Sequence, residues 1–225
     1  MGLLPDWRIK KAEKYKAEKA KLESIAAGRL LDIAIADYLG ISERDIDWSG
    51  YEGGFCYCGK ATDGKASDDK GLVYFSISHS GEYVAVAVSE EPVGIDVEHK
   101  DDKRFLISKR MFDQNDMDYI APEGFEALET DSDTEEAQCR FRDVWTIKES
   151  YVKCIGKGLT IPLKSFTADY GRISSGVPAA ILGGDNASYH VATKRLMGDK
   201  GSYSLTLCVE KSNPVMNIIW VDILA

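Results

Sequence analysis

No apolar run in the 225 residues approaches the roughly 20 that a membrane-spanning helix needs, so a helical transmembrane role is excluded. Cysteine is scarce: the five present are an odd number without framework spacing, which fits a reducing cytoplasm better than a disulfide scaffold. Met1 to Asp6 is too short an apolar start for a secretory signal, and a cytoplasmic location is expected. With only three histidines, His79, His99 and His190, there is no cluster for zinc, and Cys56-x-Cys58 lacks a second pair. A Gly-x-Ser-x-Gly nucleophile motif is also missing. Lys and Arg vanish between Arg110 and Arg140, where ten acids stand; elsewhere 27 acids face 28 bases, so the net charge of −9 is mostly this one segment. The acidity argues against a nucleic-acid partner but leaves room for a local anion site. The 44% apolar and 29% charged residues are those of a globular chain, long enough for one large domain or two modest ones.

Residues 8 to 39 predict a helix, with Leu22, Ile25, Ala26, Leu30, Ile33 and Ala34 at spacings of three and four and Gly40 as a stop. Its first half is basic, a pattern that reads most simply as a solvated face. Ser49 to Gly71, rich in Gly, Asp and Ser, predicts a loop. Strand signals at Val73–Ile77, Tyr83–Val88 and Pro92–Glu98 predict an antiparallel meander. Arg104–Ile120 predicts a helix, Ala121–Glu136 an acidic loop, and Cys139–Ile155 a second strong helix ended by Gly156 and Gly158. Strands are expected near Ser165–Tyr170, Ser188–Leu196, Tyr203–Glu210 and Asn217–Leu224. A faint repeat links Gly81-Glu82-Tyr83 and Gly94-Ile95-Asp96-Val97 to Gly201-Ser202-Tyr203 and Trp220-Val221-Asp222-Ile223, suggesting two similar α+β halves that meet at a site.

Three stretches carry chemistry. On a strand, Asp96 and Glu98 of Gly94-Ile95-Asp96-Val97-Glu98 share a face, and paired carboxylates suit a hard cation such as Mg²⁺. Alone, the pentapeptide reads more simply as an edge strand with a solvated acidic face. On the second helix Glu149 lies one turn after Trp145 and one turn before Lys153, an arrangement that by itself is an ordinary ion pair. A third carboxylate brought to Asp96 and Glu98 completes a metal site, with Lys148 and Lys153 beside it for phosphates. In Phe75-Ser76-Ile77-Ser78-His79-Ser80-Gly81, Ser78 and His79 are donors suited to phosphate oxygens.

Ser-His-Ser, then Gly-Ile-Asp-Val-Glu, then Trp-x-x-Lys-Glu-x-x-x-Lys-x-x-Gly-x-Gly-Leu, in that order over residues 75 to 159, resembles the 4′-phosphopantetheinyl transferases of the surfactin-synthetase-activating type. The resemblance implies an α+β fold: a pseudo-dimer of two similar α/β halves, antiparallel sheets packed with long helices, divided at 1–103 and 104–225 with the active site between. It implies Mg²⁺ on Asp96, Glu98 and Glu149. Coenzyme A as substrate is expected to meet Ser78, His79, Lys148 and Lys153, and an apo acyl or peptidyl carrier protein to accept the group. Glu149 is the implied base and Lys153 the implied stabiliser of the leaving phosphate. The family's Gly-Lys-Pro nucleotide contact matches Gly64-Lys65-Ala66, without its Pro, or Gly59-Lys60-Ala61. Lys11, Lys14 and Lys21 are candidates for the N-terminal phosphate contacts. The carrier is expected to dock near Lys103, Arg104, Phe105, Lys109, Arg110 and Met111, away from the acidic run 113–136, on a monomer with no membrane or nucleic-acid partner. A Mg²⁺-dependent phosphohydrolase acting on a nucleotide diphosphate, and a non-enzymatic module binding coenzyme A or carrier protein, remain open alternatives.

Overall fold

Residues 6–46, 48, 55–59, 70–99, 111–127, 131–183, 188–210 and 218–221 are described by the computed structural model. The basic N-terminal stretch forms two helices rather than one, α1 (Asp6–Glu13) and α2 (Glu18–Leu39). Ala12, only 2% exposed, anchors α1 where it folds back, and no Pro, Gly or capping side chain marks the break at Lys14–Ala17 in the sequence. Gly40 ends α2 in the left-handed conformation (φ 67°), its N–H turned back to the carbonyls of Ala36 and Asp37, as the stop signal predicts. The buried stripe is Ala27, Leu31 and Ile35, while Leu22 and Ile25 are exposed. Two overlapping apolar stripes run along this Ala- and Leu-rich helix, and only the partner surface of Val73, Phe75, Val86 and Val88 selects between them.

Strands β1 (Phe55–Gly59), β2 (Lys70–Ser80) and β3 (Tyr83–Ser89) form an antiparallel sheet in that order. β1 thus falls within the stretch expected to be loop. Strand β4 (Val93–His99) does not continue the meander; it joins a second sheet of order β4-β8-β7-β6-β5. That sheet contains β5 (Phe166–Ala168), β6 (Ala179–Gly183), β7 (His190–Gly198) and β8 (Gly201–Val209), with Asp96 opposite Thr206 and Gly94 opposite Cys208. The antiparallel sheets and long helices are those of the expected α+β class.

The free N–H edge of β4 is closed by side chains instead of a strand. Ser76, Ser78 and Ser80, alternate residues of β2, accept from the backbone N–H groups of Ile95 (3.0 Å), Val97 (3.2 Å) and His99 (3.0 Å). Three hydroxyls therefore satisfy amides that would otherwise be buried and unpaired at the seam between the sheets. The β2–β3 and β7–β8 hairpins turn at glycines of positive φ, Gly81 and Gly201, which accounts for the echoed Gly-x-Tyr sequences. Residues 218–221 are not strand, and Trp220 lies 5.5 Å from the Tyr83 ring.

Helix α3 (Gln114–Ile120) opens with a capping box between Asp113 and Asp116. Helix α4 (Asp131–Cys154) begins within the presumed acidic loop, since acids are favoured at the positive end of a helix dipole. A short α5 (Tyr170–Ser174) follows β5. Phe141, Val144, Ile147, Tyr151 and Val152 of α4 bury themselves against Phe166, Ile181 and Val191. Among the described residues no helix is long and apolar enough to cross a membrane. The docking candidates Lys103 to Arg110 and the start of the expected 104–120 helix lie outside the described residues.

Helix α4 crosses β4 at Gly94, where an added Cβ would overlap the Ser150 carbonyl oxygen and crowd the Cys154 amide. We predict that Gly94→Ala costs at least about 2 kcal/mol in chemical denaturation, because the obstacle is backbone that cannot rotate away. An unchanged midpoint would contradict this packing.

Candidate active site

The crossing of α4 over β4 brings residues from distant parts of the chain together. Asp96 is 4% exposed, so the solvated acidic face is not what forms. Its Oδ1 accepts from Ser78 Oγ (2.7 Å) and from Lys153 Nζ (2.6 Å). Lys153 also reaches the carbonyl oxygens of Ile95 (3.1 Å) and Ile77 (3.5 Å), so one half-buried ammonium ties α4 to both β2 and β4. Removing a carboxylate from water is costly unless a cation and hydrogen bonds replace the lost solvation, and Lys153 and Ser78 supply both to Oδ1. Glu98 follows on the same face, with Ser80 Oγ donating to its Oε2 at 3.0 Å. Glu149, half-buried, sits one turn before Lys153 on α4.

Ser78, Asp96, Glu98, Lys153 and the helical turn bearing Glu149 thus belong to one region, together with Ser80, the second serine of the Ser-His-Ser motif, to which the sequence assigns no role. The signal for Ser80 was its place in the alternating Ser-x-Ser-x-Ser row. Ser78 differs from the expected phosphate donor: its oxygen takes the Val97 N–H and its proton goes to Asp96, in a side chain 7% exposed. His79 is exposed on the opposite face of β2, with Nδ1 3.5 Å from Glu23 of α2, which in turn lies 3.5 Å from Lys19. Lys21 stands on the same helix and Lys14 at the exposed turn after α1. The side chain of Lys11 and all of Lys60 and Lys65 fall outside the described residues.

The donor chemistry of Asp96, Glu98 and Glu149, all hard carboxylate oxygens, fits Mg²⁺ in kind. As placed, however, no three His, Cys, Asp or Glu side chains among the described residues are grouped closely enough to hold a metal ion. The cation on Asp96 is Lys153 itself.

Lys148 is not brought to this cluster. Five residues along a helix turn a side chain by about 140°, so Lys148 and Lys153 leave α4 on different sides. Lys148 is fully buried, pairs with Asp116 at 2.5 Å and donates to the Phe166 carbonyl, with the rings of Phe166 and Phe112 alongside. Asp116 also accepts from Tyr170 Oη (2.6 Å) and Thr167 Oγ1 (2.7 Å), which makes it the polar centre of the core beneath α3. Burial pulls the Lys148 pKa below its ordinary value, against the lift from Asp116 and Asp113. The acidic segment therefore has a structural use that its composition did not reveal.

A hollow of about 780 Å³ lies apart from the Asp96 cluster, lined by Tyr119, Tyr170, Arg140 and Arg195 among others. Its charges are matched internally: Arg195 donates to Asp143 (2.8 Å) and to Glu136 (3.1 Å), and Ser204 closes Asp143 from behind (2.6 Å).

The strand and crossing helix that carry the acids and the lysine, β4 and α4, lie within the match of a family model: the 4′-phosphopantetheinyl transferase superfamily matches residues 92–208, while the serines of β2 precede it. The chain belongs to that superfamily. It is 39% identical over 98 residues to the 4′-phosphopantetheinyl transferase gsp of Aneurinibacillus migulanus, covering 43% of this chain and 37% of the relative. It is 37% identical over 95 residues to the 4′-phosphopantetheinyl transferase Sfp of Bacillus subtilis (strain 168), covering 42% and 38%. A putative 4′-phosphopantetheinyl transferase of Synechocystis aligns over 221 residues at 22% identity, covering 95% and 83%. The chain spans less than half the length of the first two relatives.

Removing the Lys148 amine leaves Asp116 uncompensated in the core. We predict that Lys148→Ala lowers unfolding stability by about 3–5 kcal/mol in urea titration. A stability equal to wild type would show that this pair does not hold the core.

Proposed function

We propose that the protein transfers the 4′-phosphopantetheine group of coenzyme A to a serine of an apo carrier protein, acyl or peptidyl, and releases 3′,5′-ADP. The observation that carries this reading is the Lys153–Asp96–Ser78 cluster: an ammonium and a buried carboxylate, drawn from the two halves 1–103 and 104–225, in a chain of this superfamily. Placing the active site where those halves meet is part of the same proposal.

The transfer needs a hydroxyl to attack the β-phosphorus of the diphosphate while the bond to the departing nucleotide phosphate breaks. Positive charge is required on the leaving oxygen and a base near the hydroxyl. Lys153 is the side chain suited to the first task, since its ammonium is already held by carbonyl oxygens of β2 and β4. Glu149, one helical turn away, is the candidate base. Asp96, Glu98 and Glu149 are the residues that would hold Mg²⁺, which when bound supplies charge neutralisation to a diphosphate. His79 is exposed toward α2, as a phosphate contact must be; Lys14 and Lys21 stay candidates for further phosphate contacts. The cytoplasm and a monomer complete the proposal; Cys139, Cys154 and Cys208 are free and buried, as a reducing compartment permits.

Incubation with coenzyme A, Mg²⁺ and an apo carrier is expected to add about 340 Da to the carrier in intact-mass spectrometry. Asp96→Ala and Glu149→Gln should abolish the increment, and Lys153→Ala should slow it about a hundredfold or more. Nucleotide or phosphate released at equal rate without carrier would identify a hydrolase instead. Binding of coenzyme A with neither product would identify a binding module.

A further inference from the structure

We infer that Ser80 is a positioning residue for Glu98, orienting its carboxylate through a hydroxyl whose direction is set by the backbone of β4; this rests on the site reading given above. A hydroxyl has one proton to give, and an ionised carboxylate has none. The amide N–H of His99 points into Ser80 Oγ at 3.0 Å and is necessarily the donor there. The one proton of Ser80 is then left for Glu98 Oε2, 3.0 Å away. A glutamate has three rotatable side-chain bonds, and fixing one of its oxygens removes much of that freedom before any cation arrives.

The same logic repeats two residues earlier. The Val97 amide sets Ser78, and Ser78 donates to Asp96. Each serine is thus matched with a residue 18 positions later and with an amide 19 positions later. One step further back, Ser76 takes the Ile95 amide at 3.0 Å, but its match at the 18-residue offset is Gly94, which has no side chain. The row therefore contains its own control. Ser76 and Ser80 both close the seam between the sheets, and of these two only Ser80 is bonded to one of the proposed metal carboxylates.

The test compares wild type, Ser80→Ala, Ser80→Thr and Ser76→Ala in three measurements. These are Mn²⁺ binding with coenzyme A present, read by electron paramagnetic resonance, the Mg²⁺ concentration for half-maximal transfer, and the thermal midpoint. Ser80→Ala is expected to weaken Mn²⁺ binding about tenfold or more and to raise the Mg²⁺ requirement alike. Ser80→Thr, which keeps the hydroxyl, should restore both to near wild type. Ser76→Ala should lower the thermal midpoint as Ser80→Ala does, yet leave Mn²⁺ affinity unchanged. If Ser80→Ala binds Mn²⁺ like wild type, or Ser76→Ala weakens it equally, the positioning role is overturned while the site reading stands. Wild-type protein that takes up no Mn²⁺ and modifies no carrier overturns both.

Discussion

A carboxylate as buried as Asp96 is tolerated in a protein interior only when its charge is answered on the spot. Lys153 and Ser78 provide that answer, and they arrive from different parts of the chain, one on a long helix and one on a strand of the other sheet. Satisfying Asp96 therefore requires that α4, β2 and β4 all be in place. The requirement works in both directions: the fold holds the acid, and the acid's need for partners fixes how helix and sheets meet. Deleting one member of such a set exposes the rest to an uncompensated charge, so the site and the stability of the molecule are not separable here.

The hydroxyl seam gives the same coupling a backbone component. A strand leaving one sheet for another exposes an edge of N–H groups, and proteins must cover or pair such edges. Here serines on alternate residues of β2 take up those amides, so the two sheets approach at side-chain distance rather than hydrogen-bonding as one. Gly94 is the second local condition, because any side chain there would push α4 away from β4 and carry Lys153 with it. A glycine and a row of serines thus decide whether the ammonium can reach the carboxylate.

Much of this was legible in the sequence, and what was not has identifiable causes. Strand alternation placed Asp96 and Glu98 on one face, and helical spacing placed Glu149 beside Lys153, because both depend only on local geometry. The partner of β4 is a long-range choice: its pairing with β8 rests on residues more than a hundred positions away, and three close strands read as a meander until that pairing is known. The motif groups Lys148 with Lys153, whereas the helical angle between them sends Lys148 to Asp116. By composition alone the acid-rich start of α4 reads as loop, whereas the helix dipole favours acids at that end. The break between α1 and α2 has no punctuating residue, so periodicity ran through it. Ser80 was visible as a residue but not as a role, since its meaning lies in the residues of β4 it faces.

The claim on which the account turns is that Lys153 and Asp96 act as one unit. A double-mutant cycle of Asp96→Asn and Lys153→Met, read in equilibrium unfolding, measures that unit with the least interpretation. The account predicts that the two single losses overlap, with a coupling of about 1.5 to 3 kcal/mol, as for a hydrogen bond between charged groups. Losses that simply add, within about 0.5 kcal/mol, would mean the two side chains do not depend on each other and would contradict the account.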